Sequence, residues 1–84
     1  MIAEKRLGVI AVVIDNPTDV QATVNSLISA FNEIVVGRMG IPYRERKVAV
    51  LSLIVDGTES EINSLSGKLG SIPGVTVKVA IAKR

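Results

Sequence analysis

Chemistry in this chain concentrates between Gly37 and Lys47. Arg38, Arg44, Arg46 and Lys47 are set there against a single acid, Glu45, so four bases and one acid leave a local net charge of +3 around the only tyrosine, Tyr43. Guanidinium groups form bidentate hydrogen bonds to carboxylates and phosphates, and a glycine such as Gly40 lets backbone N–H groups approach an anion closely. Arg38, Gly40, Tyr43, Arg44 and Arg46 are therefore the candidate contacts to a small anionic ligand. A solvated hairpin loop, or a contact to a neighbouring subunit, is the competing explanation of the same residues. Asp15-Asn16 and Asp56-Gly57 form a second candidate pair of sites, at equivalent strand-to-helix turns where exposed N–H groups can meet anions. Capping of the helices is the ordinary use of such residues.

Other chemistries lack their residues. The chain has no Cys and no His, which removes disulfides, thiolate metal sites, the commonest metal ligand and the commonest general base. No G-x-S-x-G, phosphate-binding loop or dinucleotide glycine string is present, and Gly67-x-x-Gly70 falls late in a helix, where packing and capping explain it. The chain is expected to be no enzyme and to hold no metal or cofactor. Formal charge is +2 with signs interspersed, too weak a bias to imply nucleic acid or an anionic membrane. Met1 to Arg6 is charged and shows no leader-like apolar segment, and the longest apolar run, Leu7 to Ile14, is too short for a bilayer. A cytoplasmic setting is the expectation.

These residues must be positioned by elements of a small chain. Across 84 residues nearly half are apolar, yet only Phe31 and Tyr43 are aromatic, so the core is built from Val, Ile, Leu and Ala, a composition that favours a sheet. One domain spanning residues 1–84 is expected. Arg6–Ile14 reads as a strand, broken by Asp15-Asn16-Pro17, and Val20, Val24, Leu27, Ile28 and Phe31 then form one stripe of a helix running to about Ala30. Ile34–Arg38 reads as a short second strand followed by the basic loop Met39–Arg46, and Lys47–Val55 as a third strand closed by an Asp56-Gly57 turn. Thr58-Glu59-Ser60-Glu61 is a capping box opening a second helix with Ile62, Leu65, Leu69 and Ile72 inward. Pro73-Gly74 ends it, and Val75–Ile81 is the last strand.

The run before each helix echoes the other, Val12-Val13-Ile14-Asp15 against Leu53-Ile54-Val55-Asp56. Two βαβ units of this kind predict an α+β, ferredoxin-like βαββαβ sandwich, an antiparallel four-stranded sheet in the order 4-1-3-2 with two helices on one face. Strands one and three are then central, and neither alternates. Leu7, Val9, Ala11 and Val13 oppose Ile10, Val12 and Ile14, while Val48, Val50 and Ile54 oppose Ala49, Leu51, Leu53 and Val55. Val12 and Leu51 are the positions expected to stand on opposite faces of this pair. Only one face fits beneath the helices, so the other is expected to make a homodimer or homotetramer. Central strands without aromatics argue against base stacking, and no nucleic-acid partner is expected.

Three stretches resemble one family: Val36-Gly37-Arg38-Met39-Gly40-Ile41-Pro42-Tyr43-Arg44-Glu45-Arg46, Ser52-Leu53-Ile54-Val55-Asp56-Gly57-Thr58, and Gly67-Lys68-Leu69-Gly70 before Ile72-Pro73-Gly74-Val75. The chain is similar there to the iron-only hydrogenase system regulator family of short bacterial proteins with an ACT-like fold. The resemblance implies an oligomeric ACT-like sandwich in a bacterial cytoplasm, associated with hydrogenase regulation. Because ACT domains bind small effectors near the turn after strand one, it also adds Asp15 and Asn16 to the candidate ligand contacts. A regulatory module that binds a small anionic effector is the function these readings imply. A structural adaptor that docks on a larger regulator or a maturation protein, with no small ligand, is the alternative.

Overall fold

The computed structural model describes residues 4–83. Its elements run β1 (Lys5–Asp15), α1 (Pro17–Ala30), β2 (Val35–Tyr43), a short 3-10 turn (Arg44–Arg46), β3 (Val48–Thr58), α2 (Glu59–Gly70) and β4 (Val75–Ile81). The four strands form one antiparallel sheet in the order β2-β3-β1-β4, the ferredoxin-like topology expected from the duplicated βαβ pattern.

β1 and β3 pair along their whole eleven-residue lengths, from Lys5 opposite Thr58 to Asp15 opposite Val48. Directly opposed residues share a face, and successive residues alternate. Ile10, Val12 and Ile14 therefore lie with Leu53, Leu51 and Ala49 beneath the helices, and these six are buried. Val24 and Ile28 of α1 and Ile62, Leu65 and Leu69 of α2 close this core from the other side. Ile72, expected on the inward stripe of α2, lies beyond the helix end and is only partly buried. Val12 and Leu51 are direct partners, so the expectation that they occupy opposite faces is wrong; Val13 and Val50 are the pair on the other side.

Two segments differ from the sequence reading. Met39–Tyr43, expected as loop, continues β2 as an edge strand opposite Ser52 to Val48. Gly40 and Pro42 look like strand breakers, yet an edge strand tolerates proline because one side of it needs no ladder donor. Asp56 and Gly57, expected to turn the chain, extend β3 instead, opposite Leu7 and Arg6. Gly57 permits this by close approach: a Cβ there would lie 2.9 Å from Ile34 Cγ2 and 3.2 Å from Glu61 Oε1.

The capping box forms as the sequence predicts. Thr58 N–H donates to Glu61 Oε1 at 2.9 Å, and Glu61 N–H donates to Thr58 Oγ1 at 3.1 Å. The amide and hydroxyl of Thr58 hold the Glu61 carboxyl below its ordinary value of 4.5. At the other end of the helix pair, Lys68 Nζ sits 5.6 Å from the centre of the Phe31 ring.

Among the described residues the second sheet face carries no helix. From β2 to β4, its rows are Ile41, Val50, Val13 and Thr76; then Met39, Ser52, Ala11 and Lys78; then Gly37, Ile54, Val9 and Ala80. Met39 is 69% exposed and Ile54 49%, so this apolar surface meets solvent in the single chain.

Two stability measurements follow. Leu53→Ala, at a fully buried position in the central pair, should lower unfolding stability by about 2–5 kcal/mol in urea melts. Because the Glu61 carboxyl is depressed in the folded state, its contribution is complete above pH 4.5 and fades as pH falls through the folded-state value. Melts of Glu61→Gln between acid and neutral pH should show a shallower acid-side loss than the parent chain.

Candidate functional site

At the end of the sheet where β1 enters α1, a cleft of about 430 Å³ opens between Asn16, Pro17, Thr18 and Gln21 on one side and Pro42, Arg44, Lys47 and Val48 on the other. Its shape follows from two left-handed residues. Asn16 has φ 49° and Lys47 has φ 56°, and the two are clasped by the Asn16 N–H donating to the Lys47 carbonyl at 3.1 Å. Asparagine accepts this region readily, whereas lysine in it is strained. Asp15 N–H donates to the Gly74 carbonyl at 2.8 Å, which ties the floor of the turn to the start of β4.

Asn16 does not cap α1 as the sequence suggested. Its left-handed backbone carries the side chain away from the first turn, and no side-chain cap hydrogen bond forms. Pro17 has no N–H to offer, and the Asp19 N–H reaches the Asn16 carbonyl at 3.1 Å. The start of a fourteen-residue helix, the positive end of its dipole, therefore opens into a cleft that also holds a guanidinium and an ammonium group. An anion of carboxylate or phosphate size matches that combination of charge and donors.

The candidate residues do not converge on one point. Asn16 and Arg44 line the cleft, with Asp15 at its edge in sequence. Arg38 lies elsewhere, its Nη2 donating to Asn25 Oδ1 at 3.1 Å, about 13 Å along α1 from Asn16 at 1.5 Å per residue. Gly40 serves packing, since a Cβ there would lie 2.9 Å from Leu51 Cδ2. Tyr43, opposite Val48, stands on the open sheet face at the corner, which gives that face one aromatic ring that a reading of strands one and three alone does not count. Arg46 is exposed on the 3-10 turn and does not line the cleft.

The division has a simple cause. Met39–Tyr43 is strand, so Arg38, Gly40 and Pro42 go to one face and Met39, Ile41 and Tyr43 to the other. Lys47, Thr18 and Gln21 complete the cleft. Of these only the charge of Lys47 is a signal in the sequence; its left-handed conformation is not, because lysine has no preference for it. Among the described residues no group of three or more His, Cys, Asp or Glu side chains is gathered as a metal site, and no helix is long and apolar enough to cross a membrane.

Comparison with known proteins adds the family. The solved structure of "uncharacterized protein TM1266 from Thermotoga maritima" superposes with a TM-score of 0.91 at 36% identity, covering 95% of this chain and 100% of that one. No curated protein matches. The family model described as "TM1266-like: Iron-only hydrogenase system regulator, putative" matches residues 6–79, a span that takes in both helices, β2, β3, the cleft and all but the outermost residues of β1 and β4. The chain thus belongs to the TM1266-like family, the one described as "Iron-only hydrogenase system regulator, putative".

Proposed function

We propose that this chain is a non-catalytic regulatory module that senses a small anionic effector in the cleft between the start of α1 and the Arg44–Lys47 turn. The observation that carries the reading is the meeting of a helix start without a side-chain cap, Arg44 and Lys47 around one cleft. Membership of a regulator family supplies the context, and the absence of His and Cys from the sequence leaves little for acid-base or thiolate chemistry. The effector contacts are Asn16, Arg44 and Lys47, with Asp15 adjoining. Arg38, Tyr43 and Arg46 lie outside this reading of the cleft, and Gly40 belongs to the packing of β2 on β3.

Binding here acts on structure through the clasp between Asn16 and Lys47, which joins the β1–α1 junction to the start of β3. An anion that draws Lys47 and the first turn of α1 together tightens that junction. Its regulatory output is a change in how the module meets its partners.

Thermal melts with inorganic phosphate, amino acids and nucleotides at millimolar concentration, against chloride at matched ionic strength, test the assignment. An anion present at ten times its Kd stabilises by about 1.4 kcal/mol, which for a domain of this size raises Tm by roughly 5–10 °C. Arg44→Ala should abolish the shift while leaving the starting Tm nearly unchanged. Failure of every anion to move Tm, or a shift that survives Arg44→Ala, sinks the proposal and leaves the adaptor reading in its place.

Lys47→Gly separates strain from binding. Removing a lysine from the left-handed region should raise stability by roughly 0.5–1 kcal/mol, and the same substitution should weaken the anion-induced shift. Urea melts with and without the anion measure both effects in one protein.

A further inference from the structure

The uncovered sheet face is an unusual surface for a lone chain. Among the described residues eight large apolar side chains stand exposed on it, the six large apolar members of the three rows together with Leu7 and Tyr43 at its corners. At ordinary side-chain surface areas they present on the order of 700–800 Å² of apolar surface, more than the largest patch of a typical monomer and close to what one partner contributes to a standard interface. β2 enlarges the patch: because Met39–Tyr43 is strand rather than loop, Met39 and Ile41 continue the face to the sheet edge.

We infer that this face packs against the same face of a second copy, giving two stacked sheets with the helices outermost. Three observations favour a second copy over a different protein. The area matches a self-complementary interface of standard size. Between Val9 and Val13, and between Val50 and Ile54, the two central strands present no charged residue on this face: Ala11 and Ser52 form a shallow valley between ridges made by Val13 and Val50 on one side and Val9 and Ile54 on the other, so ridge can meet valley across a two-fold axis. Charge sits at the rim of the face: Lys78 on the β4 edge, Asp15 at one end of β1, and Lys5 with Asp56 near the other. An axis running across the strands lays each Lys5 end over the partner's Asp15 end. The inference does not require the effector cleft, although Val48 both lines that cleft and stands on this face.

Sedimentation equilibrium of the full chain at micromolar concentration decides it. The parent protein should sediment at twice its 8.9 kDa mass, or as a tetramer that one substitution cuts to dimers. Val50→Lys places an unpaired charge at the centre of the face and should raise the dissociation constant on the order of a hundredfold or more, with the far-UV circular dichroism retained because residue 50 already meets solvent in the single chain. Should Val50→Lys fail to fold, Ile54→Gln on the same face gives the same readout. A parent chain that is monomeric throughout the range overturns the inference, and so does a folded Val50→Lys protein that keeps the parent's mass, since the interface would then lie elsewhere, such as along the edge of β2. Binding of the monomer to an unrelated protein through this face overturns it as well.

Discussion

Everything in this domain is arranged around the eleven-residue antiparallel pairing of β1 with β3. Both strands are central in the sheet, and both are apolar on their two faces. Helices α1 and α2 can cover only one of these faces, because right-handed βαβ crossovers put them on the same side. The fully buried residues Ile10, Val12, Ile14, Leu53 and Val55 occupy that side. The pairing register thus fixes at once which residues make the core and which are left for contact with something else. A slip of one residue would exchange the two sets, and Gly57, wedged against Ile34 and beneath the capping box, helps to hold the register at the end of β3.

The cleft depends on the same frame. Asn16 follows the last residue of β1 and Lys47 precedes the first residue of β3, so two neighbouring central strands deliver two left-handed residues to one place. Their backbone clasp at 3.1 Å closes the end of the sheet. The basic residues of the β2–β3 connection are then sorted by the geometry of an edge strand and a 3-10 turn. Arg44 and Lys47 go to the cleft, whereas Arg38 crosses to α1 and bonds Asn25.

Much of the fold was legible in the sequence because its signals are local and repeated. The stripe from Val20 to Phe31, the Thr58–Glu61 box, the alternation of Val75–Ile81 and the echo of Val12–Asp15 in Leu53–Asp56 each specify an element or a relation between elements. The β2–β3 connection was less legible. Gly40 and Pro42 carry turn signals that an edge strand can ignore, and Asp56-Gly57 resembles a hairpin turn while serving as strand. The candidate site was legible only as a cluster of charge. Which members meet depends on strand parity and on the left-handed conformation of Lys47, and neither has a signature in residue type. Asn16 shows the same limit: its type suggests a cap, and its backbone conformation removes the cap.

The two surfaces of the molecule also divide its work. The helix-covered side is packed and fixed, the cleft opens at one end of the sheet, and the bare face lies across from the helices. The central claim is that this bare face is covered in solution by another copy. Solvent accessibility of the methyl groups of Val9, Val13, Val50 and Ile54, measured by NMR with a soluble paramagnetic probe, reports on it most directly. The account predicts that these methyls are shielded to a degree approaching that of Leu53 and Val12 in the core. Methyls relaxed by the probe as strongly as the exposed side chain of Val36, which lies at the β2 bulge, would contradict it.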